Sequence, residues 1–169
     1  MSSINDKSGF TLLEMVVVLM IVMLMTAAVL PMYQGSVTWA RRDKFTRDIV
    51  ARMKYAQERA IADVTEYRFY LDHEDGEFWL MRSAGKKDGK EEFAEVDDAG
   101  ATRTRLPETL EFDKPKASQD KDRKAHYIAF YPGGACDYAT VTMKYDKTEE
   151  ITIKTKGRLG QFEVKRDDD

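Results

Sequence analysis

Few side chains in this sequence are placed to do charge or proton chemistry, and Glu14 stands out among them. It lies in the run Gly9-Phe10-Thr11-Leu12-Leu13-Glu14, which continues directly into the apolar block Met15 to Leu30. Between Phe10 and Leu30 it is the single ionisable side chain. A carboxylate near the centre of a membrane helix costs about 2.5–3.5 kcal/mol on insertion scales, and less near the end where it reaches the interface. Such a residue calls for a cationic partner in low dielectric. The plain alternative is an acid tolerated at the membrane edge.

Other candidates are weaker. Asp72-His73-Glu74-Asp75-Gly76 gathers acids as a calcium loop does. Its glycine falls too early for an EF-hand, and the later glutamate lacks the preceding ligand series. The Asp-Gly pair between two strand-like runs reads instead as a solvated hairpin turn. Cys136 is the one cysteine, so no intrachain disulfide is expected, and it reads as a small buried hydrophobe. No Cys/His cluster offers a metal site, because His73 and His126 are far apart in sequence. Ser83, His126 and an acid could in principle form a hydrolytic triad, but those residue types occur in any chain of this length. There is no nucleophile elbow and no phosphate-cradling glycine loop after a strand, so neither an enzyme nor a cofactor is expected.

The elements that position these residues follow from charge and period. The chain has 169 residues, room for one domain plus an appendage, and a net charge of −3 from 27 basic and 30 acidic side chains. So balanced a charge gives no reason to propose nucleic acid as a bulk partner. The charge is unevenly placed: dense after Trp39, almost absent from Phe10 to Leu30. That run would reach roughly 31 Å as a helix, close to a bilayer's hydrocarbon thickness. It is followed by Pro31 without a clean small-x-small cleavage site, so an ordinary secretory signal is not expected. From Met32 to Ile61, Val37, Ala40, Phe45, Ile49, Met53, Ala56 and Ala60 recur at three- and four-residue spacing, the stripe of an amphipathic helix packed on a sheet. Asp43–Arg47, Asp48–Arg52 and Lys54–Glu58 are opposite-charge pairs at i,i+4. The mixed signs argue against a membrane-surface or nucleic-acid helix.

Beyond Asp63 the period changes. Strands are expected at 66–71, 77–82, 126–131, 139–145, 150–156 and 159–164, with a weak one at 92–96 and a short one ending at Phe112. Residues 83–105 and 113–124 read as charged loops. The expected class is α+β: a long N-terminal helix packed on an antiparallel head of six to eight strands.

Gly9-Phe10-Thr11-Leu12-Leu13-Glu14 and the apolar run after it resemble the class III signal of type IV pilins and type II secretion pseudopilins. The resemblance implies that a prepilin peptidase cuts between Gly9 and Phe10 and methylates the new amine of Phe10. It places Glu14 opposite the N-terminal amine of a neighbouring subunit, and Pro31 where a kink is common. It divides the chain into a leader, 1–9; a transmembrane and filament-core helix, 10–31; an amphipathic helix, 32–63; and a periplasmic β-rich head, 64–169. Tyr55-Ala56-Gln57-Glu58-Arg59-Ala60-Ile61, Phe130-Tyr131-Pro132-Gly133-Gly134 and Ile151-Thr152-Ile153 ahead of Gly157-Arg158-Leu159 are similar to pseudopilin H and FimT/FimU-type minor pilins.

The resemblance implies a minor pseudopilin of a type II secretion system, a single-pass inner-membrane protein with its head in the periplasm. Its partners would be prepilin peptidase, the major and other minor pseudopilins and the inner-membrane assembly platform. The alternative is a minor type IV pilin serving pilus assembly or DNA uptake. The latter would want a basic C-terminal patch, and Lys165-Arg166 is followed by three aspartates. The charge count opposes this topology. Lys7 alone flanks one side, while Arg41, Arg42, Lys44 and Arg47 lie on the other, and the positive-inside rule by itself would put the head in the cytoplasm.

Overall fold

The computed structural model describes residues 11–98, 100–145, 149–157 and 161–166, and over 28–42 the helical backbone alone. Helix α1 runs Leu12–Ala62. The chain divides into two compact units, Met1–Asp43 and Lys44–Asp169.

The second unit holds ten strands among the described residues, all paired antiparallel. They are β1 (Tyr67–Asp72), β2 (Glu77–Lys87), β3 (Lys90–Glu95), β4 (Thr104–Arg105), β5 (Leu110–Phe112), β6 (Ser118–Asp120), β7 (Ala125–Phe130), β8 (Ala139–Tyr145), β9 (Glu149–Thr155) and β10 (Phe162–Arg166). One sheet has the order β3-β2-β1-β7-β6, with β4 sharing the far edge of β2; the other runs β10-β9-β8-β5. The fold is the α+β class expected from the sequence.

The helix stripe explains how these layers hold together. Ile49, Met53, Ala56 and Ala60 are fully buried, and Phe45 is partly buried against the same core. Facing them are Phe69, Leu71, Phe78, Leu80, Ile128 and Phe130 of the first sheet and Val141, Met143, Ile151 and Ile153 of the second. Two alanines at three- and four-residue spacing let the helix backbone approach the strands closely. Val37 and Ala40 belong to the stretch whose side chains are not described. Asp48 pairs with Arg52 at 3.3 Å, whereas among the described residues Lys54 and Glu58 form no ion pair. Arg52 is drawn towards the head: it donates to the Thr102 carbonyl at 2.6 Å and the Thr104 hydroxyl at 2.8 Å, with its guanidinium 5.0 Å from the Phe78 ring centre.

The first sheet is covered on its other face too. Tyr70, Trp79, Met81, Phe93 and Ala125 form a second buried cluster. Tyr70 stacks on Trp79, and the guanidinium of Arg68 lies over Phe93 at 3.7 Å and Tyr127 at 4.2 Å, while that of Arg103 lies over Trp79 at 3.8 Å. Arginines therefore close this aromatic face in the role a second helix layer would fill elsewhere.

Two stretches depart from the sequence expectation. Residues 83–105 are not a long loop. β2 continues to Lys87, turns through Asp88 and Gly89, and returns as β3 in register Lys87↔Lys90. Both turn residues have positive φ, 51° and 79°, the geometry of a two-residue type I′ turn, which matches the twist of the strands. The stretch reads as a loop because its strands are exposed and charged, leaving no apolar alternation to signal them. Likewise 113–124 contains β6, recruited by main-chain pairing to β7, with Lys116 bridging to Thr140. Six to eight expected strands become ten because short, polar segments join the edges of sheets set by the apolar ones.

Candidate assembly interface

The described part of the first unit begins with a cap. The Thr11 hydroxyl accepts a hydrogen bond from the Glu14 backbone N–H at 3.2 Å, and the Thr11 carbonyl accepts the first helical bond from Met15. Thr11 is thus the N-cap and Glu14 the third helical residue, the spacing of a capping box. The Thr-x-x-Glu pattern that marks this cap is legible in the sequence. Glu14 also places its charge in the first turn of α1, where the helix dipole favours an anion.

Behind the cap every large apolar side chain is exposed. Leu12, Leu13 and Met15 through Met25 form an unbroken series, from 43 % exposed at Val16 to 86 % at Leu12. Among the described residues of this unit none covers them. Thr26 satisfies its hydroxyl by donating to the Val22 carbonyl at 2.7 Å, the bond that lets a threonine sit in an apolar helix. Among the described residues no helix is long and apolar enough to cross a membrane by itself. The described side chains of the run stop at 27, before the block ends at Leu30. Gly9 and Phe10 lie outside the described residues, and Pro31 lies where only helical backbone is described, so its expected kink is outside them too.

In the second unit, the polar groups that could pass for catalytic machinery are tied into turns. Asp72 accepts from the backbone N–H groups of Glu74 and Asp75 at 2.9 and 3.1 Å. Asp98 accepts from Gly100 N–H at 2.9 Å and from the Tyr55 hydroxyl at 2.7 Å. That bond, with burial, pushes the Tyr55 phenol up to about 12. Cys136 is buried, and burial followed by the neighbouring Asp137 raises its thiol pKa, as an unreactive cysteine requires. Ser83 and His126 lie on different strands, β2 and β7. The structure does bring His73 and His126 together: their ring centres are 5.3 Å apart. Their distance in sequence hides this, because the pairing of β7 with β1, Leu71 opposite His126, brings the two close in space.

The N-terminal region matches the model of the prokaryotic N-terminal methylation motif over residues 4–30. No curated protein sequence matches the chain. Among solved structures, the chain is similar to the minor pseudopilin EpsH from the type 2 secretion system of Vibrio cholerae, at TM-score 0.56 and 13 % identity, over 73 % of this chain and 94 % of that one. A crystal structure of the same EpsH pseudopilin aligns at TM-score 0.55 and 12 % identity, over 70 % and 91 %. At such identities the likeness is one of fold alone.

Proposed function

We propose that this chain is a minor pseudopilin, a structural subunit of the periplasmic pseudopilus of a type II secretion system that supports export of folded proteins across the outer membrane. The observation that carries the reading is the capped, exposed helix from Leu12 to Met25, apolar but for Glu14, which lies within the methylation motif matched over residues 4–30. A helix apolar all round needs lipid before assembly and other helices after it. Prepilin peptidase cuts between Gly9 and Phe10, and the new amine on Phe10 is methylated. The head then stands in the periplasm, anchored in the inner membrane by 10–31.

Glu14 meets the amine of a neighbouring subunit, because each charge offsets the other's desolvation in an apolar setting. Apolar contact supplies the packing energy, and the charge pair sets the register. Pro31 removes one helical hydrogen bond and bends the axis at the outer end of the membrane segment. The head contacts other minor pseudopilins and the assembly platform, and it performs no catalysis.

Processing and assembly are tested in the host strain. Gly9→Ala is expected to leave the unshortened chain, read by intact mass. Glu14→Gln keeps the size and the capping-box chemistry but removes the charge, so its expected effect is normal membrane insertion with loss of crosslinking to other pseudopilins. A shortened mature chain from Gly9→Ala, or normal crosslinking of Glu14→Gln, would overturn the respective role.

A further inference from the structure

The cluster left over by the assembly reading is the histidine pair at one end of the first sheet. His73 sits in the turn after β1, and His126 sits on β7 opposite Leu71. The rings are 5.3 Å apart, centre to centre, and inclined at 74°. His126 is 4 % exposed, and the Nδ1 atoms of both rings are buried without a hydrogen-bond partner among the described residues. A buried polar atom left unpaired keeps its desolvation penalty, so two on neighbouring rings call for a shared polar occupant.

We propose that His73 and His126 bind a divalent transition-metal ion of the zinc class through their Nδ1 atoms. Neutral imidazole nitrogen is the commonest protein ligand for such ions. Two imidazoles on one tetrahedral ion, with metal–nitrogen bonds of about 2.0–2.1 Å, hold their ring centres roughly 5 Å apart. The observed spacing already meets that condition, and rotation about a metal–nitrogen bond accommodates the inclined planes.

The surrounding charges are mixed. The Asp72 carboxylate acts on His126 and that of Asp113 on His73, while Lys114 opposes a cation near His126. Both carboxylates are engaged elsewhere, Asp72 by its turn and Asp113 by Lys144 at 2.9 Å. Among the described residues no group of three or more His, Cys, Asp or Glu is arranged to hold a metal. The remaining coordination positions therefore fall to water. An open two-nitrogen site selects zinc, nickel or copper over calcium and magnesium, which want oxygen ligands. The ion would pin the β1–β2 turn to β7 across the end of the sheet.

The test uses the full chain in detergent, without a polyhistidine tag. Zinc is expected to raise the unfolding temperature and calcium to leave it unchanged. Cobalt is expected to give visible absorption from a nitrogen- and oxygen-ligated ion that zinc abolishes. His73→Ala, a change in a partly exposed turn, is expected to weaken zinc binding at least about tenfold while keeping the native circular dichroism. His126→Ala is expected to match it if folded, and if it does not fold, His73→Ala decides. Absence of zinc binding, or equal binding by His73→Ala, overturns the proposal.

Discussion

Val64 shows how one residue can be held against its own preference. The C-terminus of α1 closes with Thr65 N–H donating to the Ala60 carbonyl at 3.2 Å and Val64 N–H to that of Ile61 at 3.4 Å. This is the Schellman arrangement, whose left-handed position is usually glycine. Here it is Val64, at φ 50° and 75 % exposed. A β-branched residue in that region is strained by about 1–2 kcal/mol. Its exposed side chain recovers little by burial. Val64→Gly is therefore expected to stabilise the protein by about 1 kcal/mol, net of glycine's greater freedom when unfolded, as read by urea unfolding. An unchanged or lowered midpoint would mean that the valine makes a contact the exposure does not reveal.

Elements differ in how openly the sequence declares them. β8 falls at 139–145, where the alternation of Val141, Met143 and Tyr145 with polar residues puts it, and α1 shows its buried stripe residue by residue. β3 was signalled only weakly, at 92–96, and β6 not at all, because apart from the buried Phe93 most of their side chains face solvent; the Asp88-Gly89 turn was a further clue. The same short β6 carries an electrostatic clamp. Burial pushes the Asp120 carboxyl up, but hydrogen bonds from the Tyr70 hydroxyl at 2.9 Å, the Arg123 backbone and the Arg123 guanidinium at 3.1 Å outweigh it, leaving it below the usual carboxylate range. A carboxyl lowered on folding lends stability that is complete above its unfolded value, about 3.9, and is lost as pH falls through the folded value. Stability is thus expected to fall on acidification below about pH 4, and Asp120→Asn is expected to lower stability at pH 7 and flatten that acid limb. Urea midpoints at pH 3, 4 and 7 check it; parallel pH profiles for the two proteins would show that Asp120 is not the clamp.

At the scale of the whole molecule, the two units meet opposite physical demands. The second has its own core: α1 residues from Ile49 onward pack with both sheets. The first leaves thirteen large apolar side chains exposed, from Leu12 to Met25. Fully burying one is worth about 1.5–3 kcal/mol, so covering even half of each is comparable to the ~5–15 kcal/mol that holds an ordinary domain folded. Water is therefore a poor solvent for the intact chain and a good one for the head. A chain beginning at Lys44 is expected to be soluble, monomeric and cooperatively folded without detergent, with native-like β-sheet circular dichroism. The full chain is expected to sediment with membranes and to need detergent for extraction. An aggregated or unfolded truncation would mean that the head depends on the first unit, and a full chain monodisperse in plain buffer would remove the reason for reading that unit as a membrane and filament segment.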